Sequence, residues 1–247
     1  MQSMADIREI HGNLFATTCD VLVNTVNCVG VMGAGVALEC RYRFPGLFEY
    51  YERFCVSAEL EPGKLLLFRE SKPQILCFPT KKHWKDPARG AYVEAGLAKF
   101  AETYVARGIS SVAFPHLGCS NGGLVWDDEI RPLMYRYLES LPGLRVEIYS
   151  FDPHSSDPLF DDLAARLRGV PRRTNADLIG LRIQQMNSLA EAVECGEVST
   201  MLGLQQSKGV GPASIVKVYE FLQRKKDTPL PEQQLGFDFD RVGGDTQ

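Results

Sequence analysis

The sequence predicts an α/β fold, in which a mixed or parallel sheet is covered by helices, followed by a small helical segment. The first 150 or so residues alternate short runs of β-branched and aromatic residues with longer stretches of helical periodicity. Two of the short runs lead directly into glycine-rich loops, an arrangement found at the ligand-binding edge of open α/β sheets. With 45% hydrophobic residues and a net charge of −4 over 247 residues, the composition excludes disordered, collagen-like and coiled-coil proteins.

The α/β region carries six candidate strands and four candidate helices. Each strand is short and rich in Val, Ile, Leu or Phe, as buried strands are. The strands are Ile7–His11, Val21–Asn24, Leu65–Arg69, Ile75–Pro79, Val112–Pro115 and Val146–Tyr149. The helices are Ala34–Arg43, Gly46–Cys55, Tyr92–Arg107 and Asp127–Leu138.

After the sixth strand the pattern changes to turns and helices. A turn-rich connection and a short helix over Asp157–Leu167 complete a first domain of residues 1–168. Residues 169–175 have the composition of a linker, in which Thr174 or Asn175 caps the helix that follows.

A second, helical domain is predicted over residues 175–226. Its helices are Ala176–Glu194, Val198–Gln206 and Pro212–Lys226, the last of which has a proline in its first turn. Residues 227–247 are polar and contain prolines and glycines, so we expect a disordered tail. We find no internal repeat of useful length.

Cysteine spacing and hydropathy indicate the compartment. The seven cysteines are widely spaced and include no CxxC pair, which argues against a disulfide framework and against a thiolate zinc site. No apolar run approaches the roughly 18 residues of a membrane span, and charged residues interrupt the N-terminus, so we expect a cytoplasmic protein with no membrane partner. The near-neutral charge restricts any nucleic-acid binding to a local patch.

The first glycine-rich stretch, residues 21–38, runs from a buried strand through Asn24 and Asn27 into a loop with Gly30, Gly33 and Gly35. Glycine permits positive φ and close backbone approach, so N–H groups at the following helix start can converge on a phosphate or diphosphate. The alternative is a tight strand-to-helix turn without a ligand. Neither GxGxxG nor GxxxxGK[ST] is present, which weakens the dinucleotide-fold and P-loop alternatives.

A second glycine-rich loop, residues 116–125, follows another apolar strand. Because ligands of open α/β sheets bind at the carboxyl ends of the strands, two such loops predict a shared crevice. Together they are stronger evidence than either loop alone.

These loops and two neighbouring segments resemble the macrodomain family. The matching segments, in the family's order, are residues 12–15 (Gly-Asn-Leu-Phe), 24–27, 30–35 and 118–124, within a resemblance that spans about residues 5–152. Residues 23–33, 78–84 and 117–124 look most like macrodomains of DarG-type antitoxins, in the same branch as the human terminal ADP-ribose glycohydrolase. The resemblance implies a three-layer α/β/α fold with a mixed central sheet.

The resemblance also implies a ligand, a reaction and a set of residues. ADP-ribose would lie across the crest of the sheet with Asn27 facing the distal ribose, and DarG-type enzymes remove ADP-ribose from a thymine base of single-stranded DNA. The lysine that is catalytic in this branch maps onto Lys81, and no cofactor or metal is implied. The expected ligand-binding residues are Asn13, Leu14, Asn24, Asn27, Val31, Met32, Gly33, Ala34, Gly35, Val36, Thr80, Leu117, Gly118, Cys119, Ser120, Asn121, Gly122, Gly123 and Leu124.

Lysine chemistry is compatible with this role. An amine near an anomeric carbon can act as a nucleophile, or its charge can stabilise the departing group. The alternative is that Lys81 and Lys82 are solvated charges at a strand end, since Lys is rarely buried. Alternation along the strand does not decide which of the two points inward.

Two departures from the family pattern affect the mechanism. Asn13 stands where many macrodomains have an Asp for the adenine amino group, and an amide oxygen accepts that bond without charge assistance. The second loop lacks the Asp of the human relative, so a two-residue Lys/Asp mechanism does not transfer. His116 or a water remains available for proton transfer, although a lone His before a glycine turn is more often structural.

Residues 81–89 place several cations beside an aromatic ring. Lys82, His83, Trp84 and Lys85 suit a DNA strand, because cations bind phosphates and an exposed ring stacks on bases. The alternative is a charged surface loop with Trp84 anchored in the core.

Two motifs lie in the C-terminal part. Residues 204–216, with Gly209-Val210-Gly211-Pro212 opening a helix, resemble a helix-hairpin-helix turn that binds DNA phosphates through backbone N–H groups. The alternative is a plain αα-hairpin packed on the first domain. Residues Gln234–Phe239 resemble the short peptide that binds the bacterial sliding clamp, against the alternative of a chance apolar patch.

The leading functional hypothesis is an ADP-ribosyl glycohydrolase that acts on nucleic acid, with a cognate ADP-ribosyltransferase toxin as a candidate partner. Two alternatives stay open: a non-catalytic reader of ADP-ribose, and a glycohydrolase that acts on ADP-ribosylated protein carboxylates.

Overall fold

The computed structural model describes residues 4–224, and a six-stranded sheet lies at its centre. The strands are β1 (Asp6–Gly12), β2 (Val21–Val26), β3 (Leu66–Phe68), β4 (Gln74–Pro79), β5 (Ser111–Pro115) and β6 (Arg145–Phe151). Their order across the sheet is β1-β6-β5-β2-β4-β3. All neighbours pair in parallel except β3, which is antiparallel to β4, so the sheet is mixed, as predicted.

Helices cover both faces of this sheet. They are α1 (Gly35–Arg43) and α2 (Leu47–Val56) on one face, and α3 (Gly90–Thr103) and α4 (Arg131–Leu138) on the other. Successive strand residues point to opposite faces, so Val21 and Val23 join the core under α3 and α4, whereas Leu22 and Val26 join the core under α1 and α2. The predicted three-layer α/β/α architecture is therefore confirmed.

Several helix and strand boundaries in this region differ from the predicted ones. The strand expected over residues 65–69 has only three residues. The third helix ends at Thr103 rather than Arg107, and the fourth is a π-helical turn over Trp126–Ile130 that continues into α4.

The C-terminal part consists of α5 (Pro158–Leu167), α6 (Arg172–Ile179), α7 (Ile183–Glu194), α8 (Met201–Gln206) and α9 (Pro212–Gln223). The single helix predicted over residues 176–194 is wrong, because Gly180 adopts a left-handed conformation (φ +81°) that ends α6. The predicted linker is also shorter, since α6 begins at Arg172. Asn175 does not cap a helix; it is buried, and its amide nitrogen donates to the carbonyls of Leu167 and Val170.

The five C-terminal helices share a hydrophobic core of their own. Phe160 and Leu163 of α5 pack into this core with side chains of α6 to α9. The division of the chain into domains remains a prediction, and the packing of α5 favours a boundary that precedes this helix. The tail of residues 227–247, the clamp-like peptide and the last two residues of the predicted final helix lie outside the described residues.

A buried ion-pair network joins the helical part to the sheet domain. The Arg43 guanidinium of α1 donates to Glu39 Oε2 at 2.9 Å and to Asp157 Oδ2 at 2.5 Å. Asp157, just before α5, also accepts the backbone N–H of Met201 at the start of α8. Burial raises the pKa of the Glu39 carboxyl to about 7, against the opposing charge of Arg43. Within residues 4–224 no helix combines the length and apolarity that crossing a membrane requires.

Candidate functional site

Three segments meet at the carboxyl ends of the adjacent strands β2, β4 and β5. We name them the first glycine loop (residues 27–34), the lysine segment (residues 80–89) and the second glycine loop (residues 116–125). Backbone hydrogen bonds connect them: the N–H of Cys28 donates to the carbonyl of Lys82 at 2.9 Å, and the N–H of Ala88 donates to that of Gly122 at 3.0 Å. The crevice expected from the sequence is therefore formed by three segments whose backbones are hydrogen-bonded to one another.

The side chain of Asn27 shapes the first glycine loop. Its Oδ1 accepts the backbone N–H groups of Val29 and Val31, and its Nδ2 donates to the carbonyl of Val31. The hydroxyl of Tyr51, which is fully buried on α2, lies 3.0 Å from the same Oδ1 and 2.9 Å from the Asn27 carbonyl. Asn27 thus fixes the loop, and its predicted contact with a ribose would use the second hydrogen of Nδ2.

The first glycine loop leads into an open helix N-terminus. Ala34, the residue before α1, makes no side-chain capping bond, and the first turn of α1 holds no acidic residue. Gly33 and Ala34 are exposed, so the N–H groups here can receive an anion. Next to them Asn24 is fully buried, and its Oδ1 has no hydrogen-bond partner.

Close packing shapes the second glycine loop. A Cβ on Gly122 would lie 2.2 Å from the Gly118 carbonyl oxygen and 2.6 Å from the Cβ of Ala88. Gly118 has φ +73°, and a Cβ there would lie 2.9 Å from both Ala88 and Leu124. Only glycine fits at these two positions, and their lack of a side chain lets the loop pack against the lysine segment.

Asn121 of the second glycine loop contacts both the lysine segment and the start of α1. The amine of Lys81 donates to the Asn121 carbonyl at 3.0 Å. The Asn121 amide lies against α1, where a Cβ on Gly35 would be 2.8 Å from its Nδ2. Lys81 is half-buried and Lys82 is exposed, so Lys81 is the lysine that faces the glycine loops.

Comparison with known proteins identifies this arrangement. The family model described as Macro domain matches residues 23–132. The solved macrodomain of Mycobacterium tuberculosis DarG is 39% identical, with a TM-score of 0.56, and the match covers 59% of this chain and 97% of that one. The chain belongs to the macrodomain family.

Three further relatives are longer than the region that matches this chain. A curated DNA ADP-ribosyl glycohydrolase from Mycobacterium tuberculosis is 41% identical over 142 residues, which are 56% of this chain and 40% of the relative. The structure of Thermosipho africanus DarTG in complex with ADP-ribose is 37% identical (TM-score 0.56) over 62% of this chain and 43% of that one. One curated relative is named a fusion of a DNA ADP-ribosyl transferase and a DNA ADP-ribosyl glycohydrolase. The chain thus spans about 40% of the length of the curated relatives it matches.

The other expected ligand-binding residues of the macrodomain differ in accessibility. Exposed residues are Gly33, Ala34, Ser120, Asn121 and Gly123; half-buried ones are Val31, Gly35, Val36, Gly118, Cys119 and Leu124; buried ones are Asn13, Leu14, Asn24, Asn27, Met32, Thr80, Leu117 and Gly122. The exposed and half-buried positions belong to the two glycine loops and the start of α1, which is where a ligand can reach backbone groups.

Asn13 has structural partners in the macrodomain. Its Oδ1 accepts the N–H of Phe15 at 3.0 Å, and its Nδ2 donates to the carbonyl of Ser156 at 3.2 Å. An adenine amino group would have to use the second lone pair of Oδ1. The adenine contact of Asn13 therefore stays a prediction.

The exposed end of the lysine segment carries an aromatic ring. Trp84 is 49% exposed, which shows that the alternative of a core anchor is wrong. The ring of His83 stacks on it at 5.7 Å, and Lys85 Nζ lies 5.1 Å from its centroid.

His116, the candidate for proton transfer, stacks on Trp126 with ring centroids 3.7 Å apart and an angle of 5°. Burial lowers its pKa, although Glu9 and Asp127 oppose this shift. The lowered pKa favours the neutral form of the imidazole, whose ring lies flat against that of Trp126.

Sequence reasoning missed two residues of this site. Tyr51 supports Asn27 from α2, and Ala88 leaves the space into which Gly118 and Gly122 pack. Neither residue stands out in the sequence, because a tyrosine within a helix and an alanine shortly before a helix are both common. Among residues 4–224 no group of three or more His, Cys, Asp and Glu side chains could hold a metal.

Proposed function

We propose that the macrodomain is an ADP-ribosyl glycohydrolase that removes ADP-ribose from DNA, with Lys81 as its catalytic residue. The observation that carries this proposal is the position of the Lys81 amine, 3.0 Å from the Asn121 carbonyl at the point where both glycine loops meet. The curated relatives named DNA ADP-ribosyl glycohydrolases support the reaction class.

The loops are suited to the ADP-ribose part of the substrate. The uncapped start of α1 and the exposed backbone of the second glycine loop would hold the diphosphate. Asn27 and the buried Asn24, whose Oδ1 lacks a partner, would face the distal ribose. A relative solved with ADP-ribose supports this choice of ligand.

The reaction breaks the bond between the anomeric carbon of the distal ribose and a base nitrogen. Water supplies a hydroxyl to the carbon and a proton to the nitrogen, so that ADP-ribose and the unmodified base are formed. Lys81 would act at this carbon, either as a nucleophile in its deprotonated form or through its charge on the departing base.

The surface beside Lys81 favours DNA as the carrier of the modification. Trp84 offers an exposed ring for an unpaired base, and Lys82, His83 and Lys85 offer donors and charge to the adjoining phosphates. Because a base must leave the duplex stack to reach such a ring, we propose single-stranded DNA carrying ADP-ribosylated thymidine as the substrate. The enzyme class that must supply this substrate is a DNA ADP-ribosyltransferase, which one curated relative contains as a fused part.

The test uses wild type, Lys81→Ala and the matched control Lys82→Ala on a single-stranded oligonucleotide with ADP-ribosylated thymidine. Released ADP-ribose is quantified, and ADP-ribose affinity is measured by calorimetry in parallel. We expect Lys81→Ala to lower turnover about 100-fold or more, and Lys82→Ala to change it by no more than about 3-fold, because an exposed phosphate contact affects mainly binding.

Three outcomes would contradict the proposal. Full turnover by Lys81→Ala would exclude the lysine mechanism. No release by wild type, with ADP-ribose binding intact, would identify a reader. Release only from a carboxylate-modified protein would assign a different leaving group.

A further inference from the structure

The helical part of the chain is an internal repeat of two hairpins. The first hairpin is α6 and α7, and the second is α8 and α9. Three of the four helix boundaries of the second hairpin follow those of the first by 29 residues: residues 172 and 201, 183 and 212, and 194 and 223. The fourth pair, residues 179 and 206, differs by 27 because α8 is shorter than α6. This repeat lies in the helix positions, whereas the sequence showed no internal repeat of useful length.

Both turns contain a glycine in the left-handed conformation. Gly180 and Gly209 occupy equivalent positions with φ +81° and +82°. Each is followed by a buried apolar residue, Leu181 or Val210, and then by an extended residue that precedes the next helix. The second turn is the one that resembles a helix-hairpin-helix motif, and the first turn shares its left-handed glycine and the buried residue that follows.

Contacts between the hairpins are reciprocal. Lys217 donates to the carbonyl of Gly180, while Gly209 packs against Ser188, whose Oγ would lie 2.7 Å from a Cβ there. Gly180 corresponds to Gly209, and Ser188 corresponds to Lys217. Gln185 Nε2 also donates to Ser214 Oγ at 3.3 Å, and these two residues correspond as well. The hairpins are thus related by an approximate two-fold axis near Gln185 and Ser214.

The turns lie together on one surface, which we name the hairpin surface (residues 180–184, 208–213 and Lys217). Arg182, Lys208 and Lys217 are exposed on it, as is the glycine backbone of both turns. The first turns of α7 and α9 hold no acidic residue. The charges here are therefore all of one sign, and the adjacent helix N-termini add to them.

We infer that the hairpin surface binds the sugar-phosphate backbone of duplex DNA, with one hairpin on each strand. Three exposed cations beside the N-termini of α7 and α9 match phosphates in charge. The two-fold axis selects the duplex, because its antiparallel strands are themselves related by two-fold axes and a single strand is not. This assignment rests on the proposed function and deepens it. The macrodomain would act on a modified single-stranded site, and the hairpin surface would bind the adjoining duplex.

The macrodomain and the hairpin surface are held in one arrangement. Asp157 accepts both the Arg43 guanidinium of α1 and the N–H of Met201, where the second hairpin begins. The ring of Tyr42 on α1 stacks on Tyr219 of α9 at 5.0 Å. Duplex bound at the hairpins would therefore be held at a set position relative to the glycine loops.

The test measures binding of a short fluorescent duplex without ADP-ribose by anisotropy, over a range of salt concentrations. The variant is the double charge reversal Arg182→Glu with Lys208→Glu. The matched control is Arg173→Glu, an exposed arginine at the far end of α6 from the turn. We expect the double variant to weaken duplex binding about 10-fold or more and to lower the salt slope by about 2, and the control to change affinity less than about 2-fold.

Two readouts keep this test separate from the proposed glycohydrolase activity. Thermal unfolding shows that the variants fold, and ADP-ribose release from a short single-stranded substrate should be unchanged in the double variant. Duplex binding by the double variant equal to that of wild type would overturn the inference.

Discussion

The two glycine loops of the macrodomain meet at one crevice but are held by different forces. In the first loop a single side chain, that of Asn27, bonds to the backbone of Val29 and Val31 and to the hydroxyl of Tyr51. In the second loop the conformation depends on the absence of side chains at Gly118 and Gly122. One loop is shaped by hydrogen bonds and the other by close packing.

Gly33 of the first loop and Gly122 of the second loop therefore have different structural roles. Gly33 has space for a Cβ, whose nearest neighbour would be Val31 Cγ1 at 3.5 Å, and its φ is not left-handed. Gly122 has no space, although its φ is also accessible to other residues. Gly33 therefore leaves the backbone of the first loop open to a ligand, whereas Gly122 lets the second loop pack closely.

The largest effect is expected at Gly122. Gly122→Ala forces its Cβ into the Gly118 carbonyl oxygen, which displaces the loop and should cost about 3 kcal/mol of unfolding free energy. ADP-ribose affinity should fall with it. Urea unfolding and calorimetry measure both. Gly123→Ala is the control, because it has a left-handed φ but open space. Equal losses in the two variants would show that the close packing at Gly122 contributes no more than backbone strain at Gly123.

An intermediate effect is expected at the Asn27 hydrogen-bond centre. Asn27→Ala leaves two backbone N–H groups without their acceptor and removes one of the two acceptors of the Tyr51 hydroxyl, and should cost about 2 kcal/mol. Tyr51→Phe removes a single donor and should cost about 1 kcal/mol. Urea unfolding of both variants and of the double variant gives the coupling. If the two losses simply add, the shared hydrogen bond contributes nothing.

The smallest effect is expected at Gly33. Gly33→Ala should change the unfolding free energy by less than about 0.5 kcal/mol, since the site is exposed and has room. The same urea titration tests this. A loss as large as that of Gly122→Ala would remove the distinction between the loops.

Much of the macrodomain could be predicted from its sequence. Each short apolar run that led to a glycine loop became a strand at the crevice, because a buried strand and a glycine turn both leave local signals. The inward lysine could not be identified, since Lys81 lies past the end of β4, where alternation no longer applies. Its direction depends on Asn121, 40 residues away.

The helical part shows where sequence patterns mislead. Apolar residues continue at helical spacing through Ala176, Ile179, Ile183 and Met186, so the break at Gly180 has no signal in the periodicity. The hairpin repeat is hidden for another reason. Only two of the equivalent positions are identical, Gly180 with Gly209 and Glu191 with Glu220. Several buried positions stay apolar but change size, as Ala190 and Tyr219 illustrate. Others change character, since the buried Ile179 corresponds to the exposed Lys208.

The Arg43 network has a consequence for how such a chain can be recombined during evolution. A macrodomain exchanged without Asp157 would lose one of the two carboxylates that neutralise its buried Arg43. Helices α5 to α9 transferred together with Asp157 but without Arg43 would bring a buried carboxylate with no cation. Either exchange places an uncompensated charge at the new junction. The macrodomain and the helices that follow it are thus joined by an ion-pair network that the exchange of either part would break, although the sequence between them reads as a simple connection.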